Sequence, residues 1–391
     1  MSSLLEEARR LAGEIRSWRR NLHAHPELSG QEEDTARFIA AELRKMGLSP
    51  VERVGGGYGL TADLRVDSGP AVALRADFDA LPIQEETGVE YASTVAGVMH
   101  ACGHDAHVAM LLGAARLLLK HTDRLKRSVR LVFQPHEERI PGGAPAMIEG
   151  GAIDGVEAIL GIHVCTNLQI GELGTRPGPF MAAVNPFKIV IRGKGGHAAM
   201  PDKCIDPVVV AAEVVLALQT VVSRSIPVGE PAVVSVTRLE AGTADNVIPG
   251  QATLVGTIRT FDEEIRRHVC ERIRELAEGV AAAHRAEADV ELTPGYPVLV
   301  NDEELTRRAL EAAGGVGFEP ARVLTLPPQG VGEDFAYYCQ KVAGAFVFVG
   351  AANAAKGCTF PHHHPRFNID EDVLPWGTAL LAQFALAGTD G

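Results

Sequence analysis

The sequence has few positive charges for its length. Its 37 Lys and Arg residues are outnumbered by 50 Asp and Glu residues, which gives the 391-residue chain a formal net charge of -13. Nucleic acids and anionic membranes bind surfaces on which Lys and Arg cluster. The charge balance therefore argues against both partners and favours a small molecule or a short peptide.

The sequence predicts neither a targeting segment nor a disulfide framework. Residues Met1 to Arg20 carry charges at close intervals, so they offer no apolar signal sequence, and no later stretch is expected to approach the apolar length of a bilayer span. Scattered cysteines are predicted to be free thiols in a reducing compartment, and here they are Cys102, Cys165, Cys204, Cys270, Cys339 and Cys358. We expect a cytoplasmic protein.

The composition is that of a globular chain long enough for two domains, with 46% hydrophobic residues. Strands alternate with helices in the first half, where the pattern predicts helices at Glu32–Met46 and Ala106–Leu119 and strands at Gly59–Val66, Ala71–Ala76 and Ser128–Gln134. This alternation predicts an α/β fold with a central mixed, largely parallel sheet. Ligands of such sheets bind at the carboxyl ends of the strands.

A different pattern begins near residue 185. Strand, helix, two strands, helix and strand follow one another, at Phe187–Arg192, Pro207–Val222, Ala232–Glu240, Ala252–Thr260, Phe261–His284 and Ala288–Leu292. This is the ferredoxin-like order. It predicts an inserted α+β domain over residues 185–294, which divides the first domain into segments 1–184 and 295–391.

The segment from Met99 to His107 concentrates histidine, cysteine and aspartate directly before an apolar helix. Cys102 and His104, with a glycine between them, can converge on one cation, since thiolate and imidazole both bind borderline divalent metals. The alternative is a helix start with Asp105 in its first turn and histidines packed nearby. That alternative explains one histidine better than it explains the whole cluster.

Adjacent carboxylates follow the predicted strand that ends at Gln134. Neighbouring side chains of extended backbone point in opposite directions, so Glu137 and Glu138 are predicted to differ in role. One binds metal and the other acts as a general base on water. A solvated acidic loop is the alternative on these residues alone.

Two further segments offer histidines, and a third offers carboxylates. His163 ends the predicted strand Ile159–His163, and three histidines precede Pro365. A lone histidine after a strand is more often structural. Together, however, the clusters supply the ligands of a two-metal site: Cys102, His104, Glu138, His163 and His363. Asp79, at another strand end, is predicted to orient these ligands.

The inserted domain carries weaker signals. His197 follows a glycine-rich turn, and turns of this kind are common. Arg259, near the end of a predicted strand, is able to hold a substrate carboxylate through two parallel hydrogen bonds, although most such arginines are solvated surface charges. Asn246 precedes the same strand.

Motifs along nearly the whole chain resemble those of the metallo-aminoacylases, which include hippurate hydrolases, N-acyl-amino-acid amidohydrolases and plant auxin-conjugate hydrolases. The matching segments are Leu22–Leu28, Arg75–Pro82, Met99–His107, Gly193–Pro201, Asn246–Pro249, Gly256–Arg259, Gly332–Tyr338 and His363–Phe367. The match of His363-His364-Pro365 to the family's His-x-Pro selects His363 as the ligand.

The resemblance implies a role for each candidate residue. The five ligands would hold two divalent ions, manganese or zinc, with cobalt or nickel as alternatives. Glu137 would be the base, with Asp79 also in the catalytic group, and His197 would stabilise the oxyanion in the partner subunit's active site. Asn246 and Arg259 would contact substrate, and the inserted domain would be a lid that makes a homodimer.

Two departures from the family pattern adjoin the paired glutamates. His136 stands where the family has a small residue, and Arg139-Ile140-Pro141 replaces a glycine run. Both affect the wall of the pocket and hence the preferred acyl group. The expected reaction is hydrolysis of N-acyl amino acids, with a carboxypeptidase acting on short peptides or a non-catalytic metal-binding protein as the alternatives.

Overall fold

The computed structural model describes residues 3–67 and 69–388, so the predicted segment ends at residues 1 and 391 lie outside the described residues. In chain order the elements are α1 (Leu4–Arg10), α2 (Ala12–Ala24), α3 (Glu33–Lys45), β1 (Val51–Val54), β2 (Gly59–Leu64), β3 (Ala71–Asp77), α4 (His104–Lys120), β4 (Val129–Gln134), α5 (Ala144–Glu149), β5 (Val156–Gln169), β6 (Leu173–Thr175), β7 (Gly178–Met181), β8 (Ala183–Arg192), β9 (Gly196–His197), α6 (Pro207–Arg224), β10 (Ala232–Ala241), β11 (Val247–Ile248), β12 (Gln251–Thr260), α7 (Glu263–Ala283), β13 (Glu287–Leu292), β14 (Leu299–Asn301), α8 (Glu303–Val316), β15 (Val323–Thr325), α9 (Ala336–Cys339), β16 (Ala343–Ala352) and α10 (Val373–Ala387).

The chain divides into two compact units. The first contains Met1–Gly178, Val300–Pro327 and Asp334–Gly391, and the second contains Pro179–Leu299 and Pro328–Glu333. The first unit is thus built from separated stretches of chain. The second is nearly continuous.

The first unit is built on an eight-stranded sheet with the order β1-β2-β4-β3-β5-β16-β6-β15. β4, β3, β5 and β16 run parallel to one another at its centre, and β2 joins them antiparallel to β4. The central strands read as continuous apolar runs because both faces are covered, with α4 and α10 among the packed helices. The predicted mixed, largely parallel α/β sheet is confirmed.

The second unit has a four-stranded antiparallel sheet. Its order is β10-β12-β8-β13, which is 2-3-1-4 in chain order and corresponds to the ferredoxin-like arrangement. α6 and α7 cover one face. Phe187, Ile189, Leu218 and Ile273 are among the side chains fully buried between helices and sheet.

Helix α6 corrects one expectation from the sequence. By length and composition alone, it is the one helix in the described part of the chain that is long and apolar enough to cross a membrane. A core helix passes the same test. In α6, Val210, Val214, Leu218 and Val221 pack into the core of the second unit, so the apolar composition has a structural cause within this fold.

Candidate metal centre

Acidic side chains reach the site from the ends of two neighbouring strands. β3 and β4 are paired in parallel up to Asp77 and Gln134. The residues that follow, Asp79 after β3 and Glu137 with Glu138 after β4, therefore emerge at the same edge of the sheet. This is the edge that the sequence pattern predicted.

His163 reaches the same edge from inside a strand. The predicted strand ended at His163, but β5 continues to Gln169. Its last residue paired with β3 is Gly161. β5 therefore extends past the end of β3, and His163 lies in the part of β5 that is not paired with β3.

Cys102 and His104 lie at the start of α4. The predicted helix began at Ala106, whereas α4 begins at His104, which brings this side chain into the first turn. Gly103 precedes it with φ of 92°, and a Cβ there would lie 2.4 Å from Val164 Cγ2. Glycine is thus required for both the backbone conformation and the close approach to β5.

The five predicted ligands converge. Cys102 Sγ lies 3.4 Å from His163 Nε2, and Glu138 Oε1 lies 3.3 Å from His363 Nε2 and 3.7 Å from His104 Nε2. The ligand atoms form two groups, Cys102–His104–His163 and Cys102–Glu138–His363, each within 4.8 Å. Because Cys102 belongs to both, the groups describe two adjacent positions rather than one.

The hydrogen bonds leave the inward-facing atoms available. His104 Nδ1 lies 2.9 Å from the carbonyl oxygen of Asp79, and His163 Nδ1 lies 2.7 Å from that of Val164. Each ring therefore donates from Nδ1 and presents Nε2 as an acceptor, as metal-binding histidines do. His104 Nε2 and Glu138 Oε1 are buried without a hydrogen-bond partner. Cations bound here would satisfy both atoms, so the residues fit the metals.

The local charge also favours cations. Burial lowers the pKa of His104, but Asp77, Asp79 and Glu138 outweigh burial and raise it to about 10. Burial raises the pKa of Cys102, and the charge of Glu138 raises it further. The contributions of these carboxylates to the two pKa shifts reflect a local negative potential, which a divalent ion would neutralise while favouring the thiolate.

Of the three consecutive histidines, His363 is the one that faces Glu138. His362 Nε2 donates to the carbonyl oxygen of Val164 at 3.0 Å, and His364 Nδ1 accepts the backbone N–H of Arg366 at 3.0 Å. The rings of His362 and His364 are thus both hydrogen-bonded to backbone groups and not to Glu138. His363 has φ of 64°, a conformation uncommon outside glycine, which turns its side chain away from those of its neighbours.

His107 lies close to the ligands but is held as a structural residue. Its Nδ1 is 2.5 Å from Asp77 Oδ1, and its Nε2 accepts the backbone N–H of Val164 at 3.0 Å. Both ring nitrogens are therefore engaged. The Asp77–His107 pair supports β5 beside the site rather than adding a ligand.

Asp79 contacts two of the predicted ligands. Its Oδ1 lies 3.2 Å from His104 Nδ1, and its Oδ2 accepts from the backbone N–H of Glu138 at 3.0 Å and from Ser29 Oγ at 2.6 Å. Asp79 is predicted both as a catalytic residue and as a residue that orients the ligands. These contacts suit the orienting role, and only 1% of the surface of Asp79 is exposed.

A buried ion network beneath the site was not predicted. Arg75 donates from Nη1 to Asp77 Oδ2 at 2.6 Å and from Nη2 to Asp334 Oδ1 at 2.9 Å, and Gln134 donates to Asp334 at 2.7 Å. The signal in the sequence is Arg75 inside the buried strand β3, because a buried charge requires a partner. The identity of that partner, 259 residues away, has no local signal.

The departures from the family pattern lie beside a cavity of about 290 Å³. Its walls include Tyr58, His136, Pro141 and Met147. His136 has φ of 61°, so the loop between β4 and Glu137 bends sharply at this residue.

The predicted substrate residues lie in the second unit. His197 of β9 pairs with Val247 of β11, and the carbonyl oxygen of Asn246 accepts the N–H of Ala198 at 3.1 Å, so one short ladder holds both predicted residues. Arg259 of β12 is half-buried rather than a solvated surface charge, and burial lowers its pKa.

Comparison with protein families extends this description. Residues 73–387 match the family model described as peptidase family M20/M25/M40. The chain belongs to this family. The matched segment includes each of the five predicted ligands, and the family resemblance inferred from the motifs is confirmed.

The chain is similar to relatives over nearly its full length. N-acetylcysteine deacetylase of Bacillus subtilis (strain 168) is 43% identical over 369 residues, covering 94% of this chain and 95% of the relative. Thermostable carboxypeptidase 2 of Saccharolobus solfataricus is 40% identical over 390 residues, covering 98% of both chains. A solved Bacillus subtilis structure, described as a dinuclear metal binding peptidase, superposes with a TM-score of 0.85 at 39% identity, covering 97% of this chain and 98% of the other.

These findings identify a hydrolase with a site for two divalent metal ions. The M20 assignment gives the class of enzyme, and the two ligand groups give the two positions. The prediction of a binuclear site is confirmed at this level.

Proposed function

We propose that this M20 enzyme hydrolyses the amide bond of N-acyl amino acids, R-CO-NH-CHR'-COO⁻. The observation that carries the proposal is the position of Glu137, a carboxyl with 7% of its surface exposed, beside two ligand groups that share Cys102. A carboxylate next to a metal pair is the arrangement that activates water. The similarity to a relative named N-acetylcysteine deacetylase supports the proposal that the substrate contains an N-acyl amide bond.

Each step of the reaction has a residue of this chain. Glu137 takes the proton from the attacking water and returns it to the leaving nitrogen. The metal ions, when bound, supply a Lewis acid for the carbonyl oxygen and lower the pKa of water. Asp79 fixes His104 and the backbone of Glu138, so the ligands are oriented before substrate arrives.

We assign manganese or zinc to the site, with cobalt or nickel as alternatives. Cys102, His104 and His163 supply thiolate and imidazole, which suit zinc, while Glu138 also suits the harder manganese ion.

We assign the substrate-binding roles to residues of the second unit. Arg259 binds the substrate carboxylate through parallel hydrogen bonds, and Asn246 contacts the substrate. Hydrogen bonds from Arg259 to the carbonyl oxygens of Gly330 at 3.1 Å and Ile258 at 2.9 Å support this role, because they orient the guanidinium. His197 donates to the oxyanion.

We further propose that the second unit is a lid and dimerisation domain, and that the first unit is the catalytic domain. α6 exposes Val209 and Leu216, and the sheet ends in β10, which exposes Val233 and Leu239. An edge strand with apolar side chains beside an apolar helix face supports pairing with a second copy. The free cysteines support a cytoplasmic location.

In such a dimer, His197 acts in the partner subunit's active site. Mixing His197→Ala with Glu137→Ala protein should then restore activity, because a heterodimer has one site with both residues intact. At equal mixing and full exchange, about a quarter of the sites should be active. No recovery despite demonstrated subunit exchange would show that His197 acts within its own chain.

A carboxypeptidase is the second candidate, favoured by the 40% identity to thermostable carboxypeptidase 2. The chemistry at the metals is the same, and only the group bound on the acyl side differs. A non-catalytic metal-binding protein is disfavoured by the presence of Glu137 beside the ligand Glu138.

The release of free amino acid from a panel of substrates tests the proposal. N-acetyl, N-benzoyl and longer N-acyl derivatives of one amino acid are compared with dipeptides that end in the same amino acid. We expect higher kcat/KM on the N-acyl derivatives. Faster cleavage of dipeptides would select the carboxypeptidase, and no cleavage of either class by metal-loaded protein would refute both.

A further inference from the structure

Glu32 occupies the N-cap position of α3 without capping the helix. No backbone N–H of α3 binds its side chain. The capping carboxylate is that of Glu27, which accepts the N–H of Thr35 at 2.7 Å and that of Asp34 at 3.2 Å. Because Glu27 caps the helix, the carboxyl of Glu32 is able to contact another part of the chain.

Glu32 reaches the loop that carries the paired glutamates. Its Oε1 accepts the backbone N–H of His136 at 2.8 Å. His136 has φ of 61°, and a residue other than glycine in this conformation persists only where its surroundings hold it. The next residue is Glu137. The hydrogen bond thus holds the backbone immediately before the proposed base.

A second carboxylate, that of Asp79, holds the backbone on the C-terminal side of Glu137. The N–H of Glu138 donates to Asp79 Oδ2 at 3.0 Å, and Ser29 Oγ donates to the same oxygen at 2.6 Å. Ser29 lies in a turn closed by a hydrogen bond from Gln31 N to Leu28 O, and Glu32 follows this turn directly. Ser29, through Asp79, and Glu32 therefore act on the backbone on the two sides of Glu137.

The position of Glu32 is costly for stability. The side chain is fully buried, and Oε2 has no hydrogen-bond partner. An unpaired buried oxygen lowers stability, and residues that break this rule concentrate at functional sites. Burial also raises the pKa of Glu32 to about 7, so a neutral side chain of the same shape is a fair mimic.

We propose that Glu32 is a positioning residue for Glu137, which acts by accepting the backbone N–H of His136 and holding the loop in its left-handed conformation. The inference rests on the proposed role of Glu137 as the base. This role gives a function to the segment Ser29–Glu32, which follows the Leu22–Leu28 motif and contains none of the proposed metal ligands or substrate residues.

Two substitutions at Glu32 distinguish the effect of side-chain length from the effect of the carboxyl group. Glu32→Gln keeps an oxygen at the same distance and removes the ionisable carboxyl group, whereas Glu32→Asp keeps the carboxyl group and shortens the side chain by one methylene. We expect Glu32→Gln to retain kcat within about threefold and Glu32→Asp to lose about 10- to 100-fold in kcat, with KM within about threefold and two metals bound, since small displacements of a catalytic group have effects of this size. The opposite order would overturn the inference.

His136→Gly provides an independent test in the same protein. Glycine adopts the left-handed conformation without strain, so kcat of the double variant Glu32→Asp/His136→Gly should lie about fivefold closer to that of His136→Gly than kcat of Glu32→Asp lies to that of the wild-type enzyme. The absence of recovery would overturn the inference even if both Glu32 variants are impaired.

Glu42→Ala is the matched control. Glu42 is a buried carboxyl of the same helix, and it accepts from Trp18 Nε1 at 3.1 Å. We expect this variant to lower the melting temperature without changing kcat per metal-loaded site. If Glu32→Asp behaves like this control, Glu32 is structural only. An active Glu137→Gln enzyme would instead refute the proposed function itself.

Discussion

Glu137→Gln should lower turnover by about 10²–10⁴-fold or more, the usual range for general acid-base catalysis, while two metal ions remain bound. Glutamine preserves the shape of the side chain but accepts no proton at neutral pH. Glu137 lies within 4.8 Å of His104 and Glu138 but is not one of the five proposed ligands, so metal affinity should change little. Metal content and kcat are measured on the same preparation.

Glu138→Gln is the matched comparison. Glu138 Oε1 lies within 3.7 Å of both His104 Nε2 and His363 Nε2, so its loss should weaken metal binding, and excess metal should restore part of the activity. If Glu137→Gln regains full turnover with added metal while Glu138→Gln stays loaded and inactive, the two roles are reversed.

Arg75→Met should reduce the free energy of unfolding by about 3–5 kcal/mol, because it leaves the carboxylates of Asp77 and Asp334 buried without their cation. All three side chains are at most 1% exposed. The measurement is denaturant unfolding of metal-free protein, so that loss of metals does not contribute.

Arg116→Met is the control for Arg75. Arg116 pairs with Glu14 at 3.1 Å, but the side chains are 41% and 35% exposed. Its replacement should change stability by no more than about 1 kcal/mol. A similar small effect for Arg75→Met would show that the buried network adds little to the stability of the sheet beneath the site.

The sequence allowed the general arrangement of the site to be predicted because strand ends are visible locally. The glutamates after β4 and the Cys102–His104 pair before α4 follow apolar segments, and parallel strands bring such ends together. His163 was found for a partly mistaken reason. Its strand does not end there, and its exposure at the edge arises because β3 ends earlier than β5.

The local sequence gave no indication of the contacts between distant segments. The partner of Arg75 is Asp334, and the partner of the His136 backbone is Glu32, 104 residues earlier. Periodicity reports which face of an element is buried, but it does not report which loop meets which. The selection of His363 likewise depended on a family motif, whereas the structure separates the three histidines by the groups that their rings contact.

The central claim is that a metal pair and Glu137 hydrolyse the amide of N-acyl amino acids. The substrate assay run on chelator-stripped protein, with manganese or zinc returned in counted equivalents, tests it most directly. Turnover of an N-acetyl amino acid should be negligible without metal and should reach its maximum as the second equivalent binds. Full turnover by metal-free protein, or none with both sites filled, would contradict the account.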